Sequence, residues 1–318
     1  YSRHLVIVSP AHIPHSLHQG KTDISCKPTT NRHGREIMDK SPILIIGKNG
    51  KTGSRVNQRL RNLGYATRPV SRSTSPSFDW KDPATWQSAI KDTGSAYVTY
   101  QPDLAVPRAK ATINEFLQVA GENGLKHIVL LSGRGEAGAQ RAEEALKASG
   151  ISWNIVRASW FSQNFSESFM LEGILSGQLV LPAGDTVEPF VDADDIADVV
   201  VATLTEPGHR NRLYEVTGPR ALSFAQCIQE ISDALGRPVK YTSIPVNEYI
   251  SALREEGVPE DLQWLLRELF TVVFDGRNSH VMPGVKEALG RPPTDFKAYV
   301  EKSIESGVWA GVMLKESA

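Results

Sequence analysis

IIGKNGKTGSR, residues 45–55, places Gly47, Gly50 and Gly53 three residues apart, with Lys48 and Lys51 between them. The apolar run PILIIG (42–47) feeds into it. SRVNQRLRNLG (54–64) leaves it, with Val56, Leu60 and Leu63 on one helical face. Three readings compete: a dinucleotide-binding turn, a mononucleotide P-loop and a surface turn. A P-loop requires G-x-x-x-x-G-K-[ST]. Here glycine recurs after three positions, so GKT at 50–52 reproduces only the end of that motif. G-x-x-G-x-x-G between a strand and a helix suits a dinucleotide. The glycines let the backbone approach a pyrophosphate, and the helix N-terminus attracts its charge.

Reading outward, short apolar strands alternate with helical stretches. YATRPVSR (65–72) reads as a strand and DPATWQSAIKDTG (82–94) as a helix, with Asp82 as N-cap and Pro83 in the first turn. AYVTY (96–100) is a strand, and PRAKATINEFLQVAGENG (107–124) a long helix ending at Gly124. HIVLLS, AQRAEEALKASG and SWNIVRA continue the rhythm to Ala158. This repeat predicts right-handed crossovers and a parallel sheet, and the unbroken apolar runs predict strands covered on both faces. After Arg157 the rhythm loosens. VDADDIADVVVATLTEPG reads as a strong helix, RLYEVTGP as a strand and SFAQCIQEISDALG as a helix; the remainder reads as mostly helical. The expected fold class is α/β, a Rossmann-type doubly wound parallel sheet with a smaller, mainly α-helical C-terminal substrate lobe. Residues 38–318 are expected to form one unit, 38–160 mainly its Rossmann core and 161–318 the returning elements and the lobe.

The chain has 318 residues, 40% hydrophobic and 22% charged, with net charge −1. These are values of a globular protein with no basic field aimed at nucleic acid. Two cysteines, Cys26 and Cys227, are too few for a disulfide framework and fit a reducing, cytoplasmic setting. No apolar run approaches the roughly 20 residues of a membrane span. Residues 1–37 hold five of the eight histidines, show no sustained period and precede Met38; they read as a leader or disordered extension. His12, His15 and His18 are spaced as a metal site could be, but a stretch without structure has nothing to orient ligands.

The end of the second strand selects the dinucleotide. An NAD site places Asp or Glu there for the ribose 2′-hydroxyl. This chain has Ser71, Arg72 and Ser73. The Arg72 guanidinium fits a 2′-phosphate, with Arg68 as an alternative and Lys51 adding charge, so NADP(H) is favoured over NAD(H).

No tyrosine from Tyr65 onward is followed four residues later by lysine, the pair that typical short-chain dehydrogenases use for proton transfer. Oxidising an alcohol requires a base. Reduction of a strong electrophile such as a quinone, azo group or iminium proceeds by hydride transfer, with water supplying the proton.

ILIIGKNGKTGSRV, HIVLLSGRGEAG, IVRASWFSQNFSE, EPFVDADDIADVV, YEVTGPRALSF and DGRNSHVMPGVKEALGRPPTDF together resemble the NmrA-like family of atypical short-chain dehydrogenase/reductases, over about residues 42–309. The resemblance implies a Rossmann core binding NADP(H) and a C-terminal substrate lobe. That family includes quinone and azo-dye reductases, festuclavine dehydrogenases and redox-sensing regulators that bind cofactor without turnover. Carried over, Gly47, Asn49, Gly50, Lys51, Thr52 and Gly53 fall on the phosphate turn, and Arg72 and Ser73 on the adenosine-phosphate position. Thr99 and Tyr100 end the strand facing the nicotinamide, and Ser132 ends the next. Trp160, Phe161 and Asn164, with Phe165, fall on the loop lining the substrate pocket. That loop often reads Arg-Pro; here Ala158 follows Arg157.

Other candidates have plainer roles. Asp192, Asp194, Asp195 and Asp198 are expected to cap and charge-match a helix rather than hold a metal. Phe161, Phe165 and Phe169, four residues apart, read as a core stripe by default, with a pocket wall as the alternative and the aromatic end nearest the strand as its better candidate. His280 is the best-placed histidine of the C-terminal lobe. The expected activity is NADPH-dependent reduction of an electron-poor small molecule. The alternative is a cofactor-binding redox sensor acting through a protein partner.

Overall fold

The computed structural model describes residues 41–310. The leader expected over 1–37, with Cys26, His12, His15 and His18, lies outside the described residues. The first strand, β1 (Ile43–Ile46), is buried along its whole length. Its side chains alternate: Leu44 and Ile46 enter one core, Ile43 and Ile45 another. That is the signature of a strand covered on both faces. Helix α1 (Lys51–Asn62) turns Val56 and Leu60 onto the second of these cores. Strand β2 (Thr67–Val70) contains Pro69, which the ladder tolerates because β2 is an edge strand.

The segment read as one helix from Asp82 divides in two. Asp82 accepts from Ala84 N at the start of a 3₁₀ turn, Pro83–Thr85, and α2 (Trp86–Ile90) follows. Then come β3 (Ser95–Val98), α3 (Ala109–Glu122), β4 (His127–Gly133), α4 (Ala137–Ala148) and β5 (Ser152–Ala158). Beyond them lie α5 (Met170–Leu175), β6 (Gln178–Leu181), β7 (Val187–Glu188), α6 (Ala193–Thr205), β8 (Arg212–Val216), β9 (Leu222–Ser223), α7 (Phe224–Leu235) and β10 (Lys240–Ser243). The chain continues through α8 (Val246–Glu255), α9 (Glu260–Glu268), a π-helical turn (Leu269–Val273), α10 (Gly284–Leu289) and α11 (Phe296–Glu305).

Six strands form one parallel sheet in the order β2-β1-β3-β4-β5-β8. The chain leaves β1 to one side for β2 and returns on the other for β3. The topological switch point, where doubly wound folds bind ligands outside the carboxyl ends of the strands, therefore lies between β1 and β3. On one face α2, α3 and α4 bury Trp86, Phe116 and Leu146 against Leu44, Ile46 and Ile128. On the other, α1 and α6 cover Ile43, Ile45 and Val129. Each such large apolar side chain contributes about 1.5–3 kcal/mol on burial.

The third core belongs to the C-terminal lobe, with Phe165, Phe190, Phe224, Phe296 and Trp309 at its centre. Helix α7 is fixed by a capping box between Ser223 and Gln226 and stopped by Gly236 in the left-handed conformation. The lobe also contains strands the sequence reading missed: β6 pairs in parallel with β10, and β7 runs antiparallel to β9. Among the described residues, no helix is long and apolar enough to cross a membrane.

Candidate active site

The glycine turn is built by close approach. Gly47 has φ +86°, and a Cβ on it would meet Thr99 Oγ1 at 2.3 Å. A Cβ on Gly53 would meet the Gly47 carbonyl oxygen at 2.2 Å. Gly50 donates its N–H to that same oxygen at 2.9 Å and begins α1 from an extended conformation. The first N–H groups of α1, on Lys51, Thr52 and Gly53, have no intrahelical acceptor, and the helix dipole adds positive potential there. A cradle that excludes every Cβ and presents free N–H groups fits a pyrophosphate. The Thr52 side chain turns the other way: it is 4% exposed and its hydroxyl takes a 2.9 Å hydrogen bond from Tyr97. Thr52 thus offers the cradle its backbone only.

A hollow of about 770 Å³ opens beside this turn, lined by Gly47, Asn49, Gly50, Arg72, Ser73 and Thr99. Arg72 and Ser73 are exposed at its rim. Arg68 is occupied elsewhere: its guanidinium donates to the carbonyls of Ala89, at 3.2 Å, and Lys91. Unlike Arg72, it does not line the hollow. Lys81 and Arg108 also line the hollow, as do Asp79 and Asp261. None of these four stood out in the sequence: Asp79 and Lys81 come from a connection, Arg108 is the N-cap residue of α3 and Asp261 sits in the first turn of α9.

A second hollow, of about 400 Å³, shares Thr99 and Pro102 with the first. Lys51, Tyr100, Ser132, Trp160, Phe161 and Asn164 line it, together with Phe169, Tyr249 and a leucine wall from α9 that includes Leu262, Leu265 and Leu266. Burial holds the Lys51 ammonium below its ordinary pKa, with Glu167 opposing that effect. The Trp160 ring packs 5.2 Å from Phe270 and 5.6 Å from Phe224. Phe165 is a correction: it is fully buried in the lobe core, 5.4 Å from Phe190, and takes no part in the wall. Its segment is a 3₁₀ turn, Ser162–Phe165. At about 3.0 residues per turn, a spacing of four no longer keeps side chains on one face, so Phe161 and Phe169 reach the hollow and Phe165 does not.

Ser132 lines the hollow, but its hydroxyl is committed. It donates to Glu143 Oε1 at 2.6 Å. Glu143 is fully buried and is held by Arg157 through bonds of 2.9 and 2.5 Å, while Arg157 also reaches Glu215 at 2.6 Å. The Ala158 that follows Arg157 leaves β5 undisturbed, since it pairs in register with Gly133 and Val216. Tyr100 packs 4.9 Å from Trp80, and its hydroxyl is 3.4 Å from that of Thr112.

Two carboxyls that the sequence reading did not single out lie in this wall, Asp103 and Glu136. The turn carrying Glu136 is clamped to the lobe. Arg134 Nη1 donates to the Asn278 carbonyl at 2.6 Å, and Asn278 Nδ2 donates back to the Arg134 carbonyl at 3.3 Å. Gly135 (φ +77°) leaves room for that side chain, since a Cβ there would sit 2.2 Å from Asn278 Nδ2. His280, two residues on, is exposed and outside the wall. The acidic run caps and pairs: Asp192 accepts from Asp194 N at 2.8 Å, Asp194 and Asp198 bind Arg59 at 2.7 and 2.6 Å, and Asp195 binds Arg291 at 2.7 Å.

Residues 139–300 match the model of the NmrA-like family. The chain is 28% identical over 285 residues to an NAD(P)H azoreductase of Xenophilus azovorans, covering 81% of this chain and 96% of that protein. It is 30% identical over 292 residues to festuclavine synthase II of Penicillium roqueforti, covering 84% and 99%. Among solved structures, the NADPH complex of an NADPH-dependent quinone oxidoreductase from Escherichia coli superposes with a TM-score of 0.70 at 21% identity, over 82% of this chain and 99% of that one.

Proposed function

The chain belongs to the NmrA-like family, and from that premise we propose that it is an NADPH-dependent reductase of an electron-poor small molecule of the quinone, azo or iminium type. The observation that carries this reading is the junction of the two hollows at Thr99 and Pro102, on the switch point of the sheet. One hollow holds the glycine cradle with Asn49, Arg72 and Ser73; the other is walled by Trp160, Phe161, Phe169 and leucines. When bound, the reduced cofactor supplies a hydride. The cradle of Gly47, Gly50 and Gly53 fixes one end of that cofactor, and Arg72, assisted by Lys81, receives the 2′-phosphate. Trp160, Phe161 and the α9 leucines exclude water and hold the acceptor flat against the strand ends, so that positioning does most of the catalysis. No Tyr-Lys pair takes part, and Ser132 spends its proton on Glu143.

The test is NADPH consumption with a panel of quinones, azo dyes and iminium compounds. Turnover with at least one class is expected. Tight NADPH binding with no turnover across the panel would sink the reading and leave a cofactor-binding sensor.

A further inference from the structure

We propose that Asp103 and Glu136 form a proton-holding pair that protonates the acceptor as it is reduced, which makes that acceptor one whose reduction consumes a proton, a quinone or azo compound rather than an iminium. The proposal rests on the reductase reading above.

Glu136 is the N-cap residue of α4, yet its side chain caps nothing. It folds back over the end of β4 and fills the space above Gly133, where a Cβ would lie 2.1 Å from its carboxyl. Gly133 follows Ser132, so the carboxyl occupies the place beside the strand end that faces the acceptor. Glu136 is 8% exposed, and its Oε2 is buried with no hydrogen-bond partner. Asp103, half-buried in the loop after β3, is fixed by a 2.7 Å bond from Ala105 N to its Oδ1. Both carboxyls line the same hollow, and the Asp103 charge acts on Glu136; neighbouring carboxyls resist ionising together. Burial, then the Asp103 charge, holds Glu136 well above the ordinary carboxyl range, and burial also raises Asp103. The pair therefore titrates as a unit.

The charges around it favour retention of the proton. Glu143 on α4 and Glu268 on α9 both repel a charge on Glu136, although Arg157 takes up that of Glu143. Arg134 from the turn and Lys51 from α1 line the same hollow and oppose them, and the Tyr249 hydroxyl on α8 is a neutral polar group of the wall with no hydrogen-bond partner.

The step balances simply. A quinone takes a hydride, two electrons and one proton, from the reduced cofactor and becomes an oxyanion. An O–H bond of the pair breaks as the hydroquinone O–H bond forms, and water returns a proton to the pair. An azo bond is served in the same way at nitrogen. An iminium becomes a neutral amine on hydride addition alone.

The test compares wild type with Glu136→Gln and Asp103→Asn. With a quinone, wild-type kcat should fall as pH rises through the titration of the pair; with an iminium acceptor it should stay flat. Glu136→Gln should lower quinone kcat about 10²-fold, as loss of a general acid does, and abolish both the alkaline limb and the solvent isotope effect. In Asp103→Asn the limb should move to lower pH. A readout independent of turnover is the infrared band of protonated carboxyl, which should shrink in Glu136→Gln relative to wild type while that of Glu188, raised by burial to about 7, remains. Cofactor binding reports folding, and should Glu136→Gln fail to fold, Asp103→Asn carries the test. An unchanged pH profile and an unchanged band in the folded variant would overturn the proposal while leaving the reductase reading intact. A wild type that reduces no acceptor removes both.

Discussion

The two hollows that meet at Thr99 are made in different ways. The turn proposed to hold the cofactor is local: Gly47, Gly50 and Gly53 act within seven residues of chain, and a Cβ on any of them would meet the turn itself or Thr99. The side proposed for the acceptor is assembled from the loop after β3, from β4 and β5 with the turns that follow them, and from α1, α8 and α9, and its Arg134 is gripped by Asn278. Local constraints leave a readable spacing in the sequence. Constraints imposed across the fold leave ordinary residues in unremarkable places.

The contrast can be broken most forcefully beneath the acceptor side. Glu143→Ala leaves Ser132 and Arg157 without their buried partner, and removing one member of such a pair costs about 3–5 kcal/mol. Urea unfolding should show that loss; a cost below about 1 kcal/mol would mean that the floor is held by packing alone. On the cofactor side, Gly53→Ala forces the turn away from the Gly47 oxygen. A displacement near 1 Å should lower kcat about 10²-fold with every acceptor, whereas a purely structural turn would lower stability and spare turnover. Arg72→Ala should raise the Kd for NADPH about tenfold, roughly 1.4 kcal/mol, and leave NADH within twofold. Equal losses for both cofactors would remove the 2′-phosphate role. The smallest effect belongs to Leu262→Ala. That side chain is 36% exposed, and loss of its contact should raise acceptor KM several-fold, about 1 kcal/mol, with kcat held. A fall in kcat would instead show that α9 positions the acceptor.

The same contrast explains what could be read in advance. The parallel sheet was legible because its strands are unbroken apolar runs, and Gly64, Gly124, Gly150 and Gly236 stop helices where the periodicity ends. The lobe strands β6 and β10 were not, since QLVL and KYTS are four residues each and find one another across some sixty residues of chain. Phe165 shows the limit of spacing alone: a repeat of four does not tell core from pocket wall, and the 3₁₀ turn at Ser162–Phe165 sends its ring into the lobe core. Glu136 was overlooked for a subtler reason. A glutamate just before an apolar helix reads as a match to the helix dipole. Only the folded chain shows it turned over Gly133, in a gap that the missing Cβ leaves open. Arg68 and Arg72 stood as alternatives in the sequence, and only the carbonyls of Ala89 and Lys91 separate them.

The clamp between Arg134 and Asn278 also sets an order in time. A chain leaving the ribosome from its N-terminus can close the Gly47–Gly53 cradle long before Asn278 is polymerised. Until then the turn carrying Glu136 lacks both the Asn278 carbonyl and the Asn278 side chain that fix it. If the cradle holds a cofactor as proposed, a nascent chain would become able to grasp it well before it owned a chamber in which to spend it.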